Sequence, residues 1–172
     1  MKKESIKNLI LTYGFILGLV SIGISVIKYL LGDYLERSTF ESILGFIILI
    51  VFIYIPINIY KKSNEGYLSL SESFKIGLGV GLISALISIL YIYIFANFIE
   101  PEFVNNILEI EIEKMKSSST PAENIKQAYN MMKNYMLPMM FGGIIFVNLF
   151  FGFIFSLIIG FILKKDKTVF QN

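Results

Sequence analysis

The sequence predicts an all-α membrane protein: a four-helix transmembrane bundle carrying an extracytoplasmic amphipathic helical hairpin between its third and fourth helices. Three observations predict it. Four apolar runs free of charged residues lie at 9–27, 43–60, 76–99 and 137–163. Each is near the length of about 20 residues needed to cross a hydrocarbon core of about 30 Å. Apolar residues make up 55% of the chain and charged residues only 16%, against about a quarter charged in soluble domains. The one long stretch between runs, 100–136, is polar and patterned like surface helices. Backbone groups left unpaired in lipid are costly, so isolated runs of this length must be helices.

Composition narrows the chemistry. Cysteine and histidine are absent, which excludes disulfides, the usual zinc sites, thiol nucleophiles and imidazole bases. Serine is plentiful, but no acid or lysine lies inside a span to activate it. No cofactor or metal is implied, and a non-enzymatic role is expected. A net charge of +2 is too small to suggest a nucleic-acid partner; the expected medium is membrane lipid. With no tryptophan, the ten tyrosines supply the interfacial aromatic anchors.

Taken in order, the first span follows Lys2, Lys3 and Lys7, as a signal peptide would. Its nineteen residues exceed the usual signal core of about 7–15, and Ile27-Lys28-Tyr29-Leu30 offers no small-residue cleavage site, so a retained span is expected. Ser38 and Glu41 form a capping box that starts span two, and Ser69 and Glu72 do the same for span three. Pro56 should kink span two near its end. The 28–41 and 61–75 loops, with 100–136, separate the spans within one membrane domain covering 1–172.

Loop charge sets the orientation. The N-terminus, the 61–75 loop and the C-terminal tail hold nine lysines against Glu4, Glu65, Glu72 and Asp166. The opposite side holds six basic and nine acidic residues. The positive-inside rule therefore puts both termini in the cytoplasm, with Lys61-Lys62 and Lys164-Lys165 at the ends of spans two and four.

Spans one and three share a pattern. Gly14, Gly18, Ser21 and Ser25 correspond to Gly77, Gly81, Ser84 and Ser88 at a constant offset of 63. Each set falls on one helix face. Span four carries Gly152, Ser156 and Gly160. Small residues let helices approach closely in lipid, so these eleven positions are the expected packing surfaces. The shared pattern also raises a tandem repeat relating hairpin 9–60 to hairpin 76–163, although glycine and serine are common in membrane helices.

In the outer segment, Pro101 opens a helix with Phe103, Val104, Ile107 and Leu108 on one side and Glu109 and Glu113 on another. Ser117-Ser118-Ser119 ends it. Thr120-Pro121-Ala122-Glu123 then reads as a helix start, with Thr as cap, Pro first and Glu third. The following helix gathers Ile125, Tyr129, Met132 and Met136 on one face, expected to pack on its neighbour, lie on lipid or meet a partner. In the acidic cluster of Glu109, Glu111 and Glu113, Glu109 and Glu113 sit one turn apart and have the oxygen chemistry to share a divalent cation such as Ca²⁺, but with Lys114 and Lys116 interleaved a solvated face is the plainer reading. Asn148 is the polar side chain nearest the middle of span four, expected to bond another helix or to mark a pathway.

Two runs resemble a known family. Gly66-Tyr67-Leu68-Ser69-Leu70-Ser71-Glu72-Ser73-Phe74-Lys75-x-Gly77 is similar to its Gly-Tyr-Ile-Ser-Phe-Gly-x-Ala-Phe-Lys-x-Gly signature. Phe98-Ile99-Glu100-Pro101-Glu102-Phe103 resembles its Asp-Pro-Asp-Phe-like motif after the third span. Glu113-x-Met115, Met131-Met132, Pro138, Ser156-Leu157-Ile158 and Lys164-Lys165 also match. Ser71 stands where the family has Gly, and Glu100 and Glu102 where it has Asp. The family is a group of bacterial four-span membrane proteins known only as a domain of unknown function. The resemblance implies this topology and a bacterial cytoplasmic membrane, but no substrate or catalytic residue. The expected role is a non-enzymatic accessory or scaffold component of the envelope with a membrane-protein partner. The alternative is a small channel or transporter subunit that builds its pore as a homo-oligomer, because uncharged spans seldom enclose a pathway alone.

Overall fold

The computed structural model describes residues 4–35 and 38–165. Lys2, Lys3, Glu36, Arg37, Asp166 and Lys167, which enter the charge count above, lie outside them. The described residues fold into five α-helices: α1 Ile6–Leu31, α2 Thr39–Ser63, α3 Leu70–Ile94, α4 Phe103–Ser117 and α5 Ala122–Leu163. Four of these, all but α4, are long and apolar enough to cross a membrane. The chain is a multi-pass membrane protein.

Local chemistry sets the helix ends. α1 stops at Gly32, whose N–H bonds the Tyr29 carbonyl at 3.1 Å and whose φ of 82° turns the chain so that Asp33 N–H reaches the Lys28 carbonyl at 3.0 Å. At the start of α3 the capping box is complete: Glu72 N–H donates to Ser69 Oγ, and Ser69 N–H to the Glu72 carboxylate at 2.8 Å. At α2 only half the box forms. Ser38 Oγ accepts from Glu41 N–H, but the Glu41 carboxylate turns to Lys28. α3 runs on into a π-helical turn at Phe95–Ile99, where Glu100 N–H reaches the Phe95 carbonyl at 2.8 Å. Pro101 forces the stop by driving Glu100 out of helical geometry, to φ −134° and ψ 79°.

The two ends of the bundle are distinct. At the terminal end, Leu68 and Lys165 exchange two backbone hydrogen bonds of 3.0 Å, and Glu4 N–H donates to Ser63 Oγ. At the opposite, cap end, Tyr29 hydroxyl donates to Glu100 and Asn106 amide to Tyr34 hydroxyl. Together they tie the end of α1 and the α1–α2 loop to the start of α4.

α3 is the central helix, packed most extensively on α1 and α5. Glycines make both contacts close. A Cβ added at Gly14 would lie 2.6 Å from Ile83 Cβ, and one at Gly18 would lie 2.7 Å from Ile87 Cγ2. Ile10 meets Gly79 in the same register, so each of these α1 residues faces the α3 residue 69 positions on. On the other side of α3, Gly77 meets Ser156 and Gly152, Gly81 meets the Asn148 carbonyl, and Ser73 meets Gly160. Ser73 hydroxyl donates across this seam to the Ser156 carbonyl at 2.7 Å, with neither residue exposed. The glycines of the shared pattern thus serve different partners: Gly14 and Gly18 face α3, while Gly77 and Gly81 face α5.

The outer hairpin differs from expectation in one respect. Its second arm is not a separate helix but the first third of α5, which continues through Pro138 without interruption for 42 residues. Pro138 removes one backbone N–H, but the residues around it, Tyr135-Met136-Leu137 and Met139-Met140, contain no glycine or turn former to end the helix. At about 1.5 Å per residue α5 is roughly 60 Å long, twice the hydrocarbon thickness. Pro121 rather than Thr120 holds the cap position, and Thr120 Oγ1 pairs instead with Ser118 Oγ at 3.2 Å.

Candidate functional site

The terminal half of the bundle is solid. Ile53, Ile57, Leu68, Ile76 and Val80 have no exposed surface, and Leu17, Leu49 and Ile159 pack with them. A second core closes the cap end. There the Phe95 ring centroid lies 5.1 to 6.1 Å from those of Tyr29, Tyr34, Tyr91 and Phe103. Aromatic pairs at such distances add about 0.5–1.5 kcal/mol each beyond area burial in the most favourable geometries.

Between the two cores the helices part. α2 buries residues only from Leu49 onward; before that, Phe40, Ile43 and Ile47 are 73, 54 and 53% exposed. The space left beside α2 is a cleft with two chambers. The deeper holds about 350 Å³ among Leu17, Ser21, Ile24, Ser42, Gly45, Phe46, Leu49, Ser84 and Asn148. The upper holds about 400 Å³ among Ser25, Lys28, Tyr34, Tyr91, Ile92, Phe95 and Met140. Glu41 and Ser42 line both, so the chambers adjoin.

The cleft is electrically quiet. Its two charged linings, Lys28 and Glu41, meet at 2.6 Å and bridge α1 to α2. Most of its hydroxyls are committed to the backbone. Ser21 donates to the Leu17 carbonyl, Ser25 to Ser21 and Ser42 to Ser38. Asn148, which lines the deeper chamber, donates from Nδ2 within its own helix to the Ile144 carbonyl at 2.9 Å, not to another helix as expected, and its Oδ1 makes no hydrogen bond among the described residues. Ser84 differs. It is 2% exposed and makes no side-chain hydrogen bond among the described residues. Every fully enclosed polar side-chain atom there has a partner, so the Ser84 hydroxyl opens onto the cleft.

The candidates named from sequence fall into three places. Gly14, Gly18, Gly77, Gly81, Gly152, Ser156 and Gly160 lie in the two helix seams. Ser21, Ser25, Ser84 and Asn148 line the cleft, and Ser88 is half-buried on α3 one turn beyond Ser84. On α5, Met136 is buried and Ile125 and Met132 are half-buried, while Tyr129 is 41% exposed. The barest stripe on this arm is a different one, Met131, Tyr135 and Met139, at 50, 58 and 50% exposure. In the acidic cluster, Glu111 pairs with Lys114 at 2.8 Å.

Lys28, Glu41, Ser42 and Gly45 escaped sequence reasoning. A single lysine after one span and a single glutamate before the next are ordinary membrane-end residues; only the fold brings them together. No curated protein and no solved structure matches the chain. A family model described as a protein of unknown function, DUF4199, matches residues 12–165, from early in the first span to beyond the end of the fourth, and the chain belongs to that family.

Proposed function

We propose that this protein is a non-enzymatic accessory component of a bacterial cytoplasmic membrane, both termini inside, that offers the α4–α5 projection to a membrane-protein partner outside. The continuity of α5 carries the reading. Because one helix runs from Ala122 to Leu163, the projection is held rigidly on the span, and whatever docks there is coupled to the bundle. Tyr129, Met131 and Tyr135 provide exposed apolar contact area on that arm. The solid terminal half, with Ile53, Ile57, Ile76 and Val80 unexposed, favours a binding component over a pore within one copy. Lys61, Lys62 and Lys165 at the terminal end support the orientation by the positive-inside rule.

The test is co-purification of the tagged protein in mild detergent after in-cell crosslinking. A stoichiometric partner is expected, lost in a Tyr129→Ala/Tyr135→Ala variant whose bundle still folds. Recovery as a bare homo-oligomer, with conduction in liposomes, would overturn the reading in favour of a pore. Orientation has its own measurement. With no native cysteine, Glu123→Cys should react with an impermeant maleimide in intact cells, and Lys62→Cys only after lysis. The reverse pattern would invert the topology.

A further inference from the structure

We propose that the cleft between α1, α2 and α5 is a binding site for one neutral, lipid-soluble molecule whose uncharged polar head, a carbonyl or hydroxyl, hydrogen-bonds to Ser84 and Asn148. The inference goes beyond the accessory role and does not rest on it.

The floor of the cleft carries the argument. Ser84 is buried to 98% of its surface, yet its hydroxyl has no partner among the described residues and opens onto the deeper chamber. The hydroxyl is not fully enclosed, and the space it opens onto is where a hydrogen-bonding partner can reach it. Asn148 lines the same chamber with its carbonyl oxygen and one amide N–H uncommitted, since its other N–H serves Ile144. One donor-acceptor hydroxyl and one amide therefore face a shared space. A ligand carbonyl could accept from both, and a ligand hydroxyl could donate to Asn148 Oδ1 while accepting from Ser84.

The rest of the cleft selects the ligand's class. Leu17, Ile24, Phe46 and Leu49 make its deeper walls apolar. At 350 Å³ this chamber falls within the range of about 300–1,000 Å³ seen for small-molecule sites. Among the described residues no unpaired charge lines the cleft to meet a charged head: Lys28 and Glu41 already pair at 2.6 Å at the rim. A phosphate carried to Ser84 and Asn148 would be a desolvated anion without a counter-ion, whereas a carbonyl or hydroxyl loses far less. The exposed first half of α2 leaves the lipid side lightly covered, so the molecule reaches the site from the bilayer.

Gly45 makes the proposal testable. It lines the deeper chamber, and a Cβ placed there meets nothing within 4 Å, so a larger side chain fills the cleft without disturbing the helices. The experiment uses the full chain in nanodiscs and two diazirine-tagged probes of equal chain length, a monoacylglycerol and a lysophosphatidate, mapped by mass spectrometry. The neutral probe should label one site per chain, on residues such as Leu17, Ile24 and Leu49. Gly45→Leu should reduce that labelling at least tenfold, and Ser84→Ala several-fold, with the lipid-facing background unchanged. Equal labelling of the cleft by both probes, or by the phosphate probe alone, would overturn the neutral-head assignment. Labelling unaffected by Gly45→Leu, or confined to the outer surfaces of the helices, would overturn the site. If Gly45→Leu fails to fold, the near-isosteric Ser84→Ala decides by the same readout.

Discussion

Alanine at Gly77 should destabilise the bundle, while alanine at Gly23 should leave it unchanged or stabilise it. Both residues are helix-interior glycines, and helix propensity alone predicts the same gain at each, up to about 1 kcal/mol for Gly→Ala. Packing separates them. A Cβ at Gly23 meets nothing within 4 Å, so the propensity gain stands. At Gly77 the same carbon collides with Ser156 Cβ and comes within 3.0 Å of the Gly152 carbonyl oxygen. Overpacking of this kind typically costs about 1–3 kcal/mol and can cost more where backbone must move. The collision therefore outweighs the gain and reverses its sign. A seam forced apart there would also stretch the 2.7 Å bond from Ser73 to the Ser156 carbonyl one turn away. Gly81, where an added Cβ would lie 2.7 Å from the Asn148 carbonyl oxygen, should behave like Gly77. Thermal unfolding in detergent reads the difference, with Gly77→Ala below wild type and Gly23→Ala at or above it. Similar melting of the two variants would show that the α3–α5 seam is not under the constraint described.

The same residues show how far the sequence was legible. Span positions follow from hydropathy because lipid imposes one rule on every segment. The glycine and serine stripes were visible because helical spacing is local. Their partners were not. Nothing in the offset of 63 says that Gly14 and Gly18 turn to α3 while Gly77 and Gly81 turn to α5, since a stripe carries no address. The continuity of α5 was hidden by Pro138 and by the change from polar to apolar composition near it. Composition marks where a helix leaves the membrane, not where it ends. The cleft was least legible of all. Ser84 and Asn148 were noticed as a small residue and as a polar outlier, but their meeting with Gly45, Ser42 and the Lys28–Glu41 pair depends on three helices parting at one level. Local sequence does not encode a gap.

That gap gives Glu72 its importance, and Glu72→Ala should cost about 2.5–4 kcal/mol, the sum of a lost cap of about 1 and a charge-assisted hydrogen bond of about 1.5–3. One carboxylate serves both ends of the α2–α3 connection. It accepts from the Ser69 N–H and hydroxyl at 2.8 and 2.9 Å, completing the capping box of α3, and from the Tyr60 hydroxyl at the end of α2 at 2.6 Å. Tyr60 is 2% exposed, so water can replace its share of the interaction poorly. α2 is packed only in its second half, and Glu72 anchors the end from which its first half extends. Tyr60→Phe should lose the inter-helix bond to Glu72, about 1.5–3 kcal/mol, leaving the cap intact. The double variant should then cost less than the two single losses combined, because the shared bond can be lost only once. Glu41→Gln, at the other tether of α2, should lower the melting temperature little, since the Glu41 side chain is 38% exposed and ion pairs near the surface contribute little to stability. It should instead make the cleft easier to enter, read as faster reaction of a cysteine placed at Gly45 with a small neutral maleimide. Strict additivity of Glu72→Ala and Tyr60→Phe would separate the cap from the clamp, and α2 would then be held by its buried isoleucines alone.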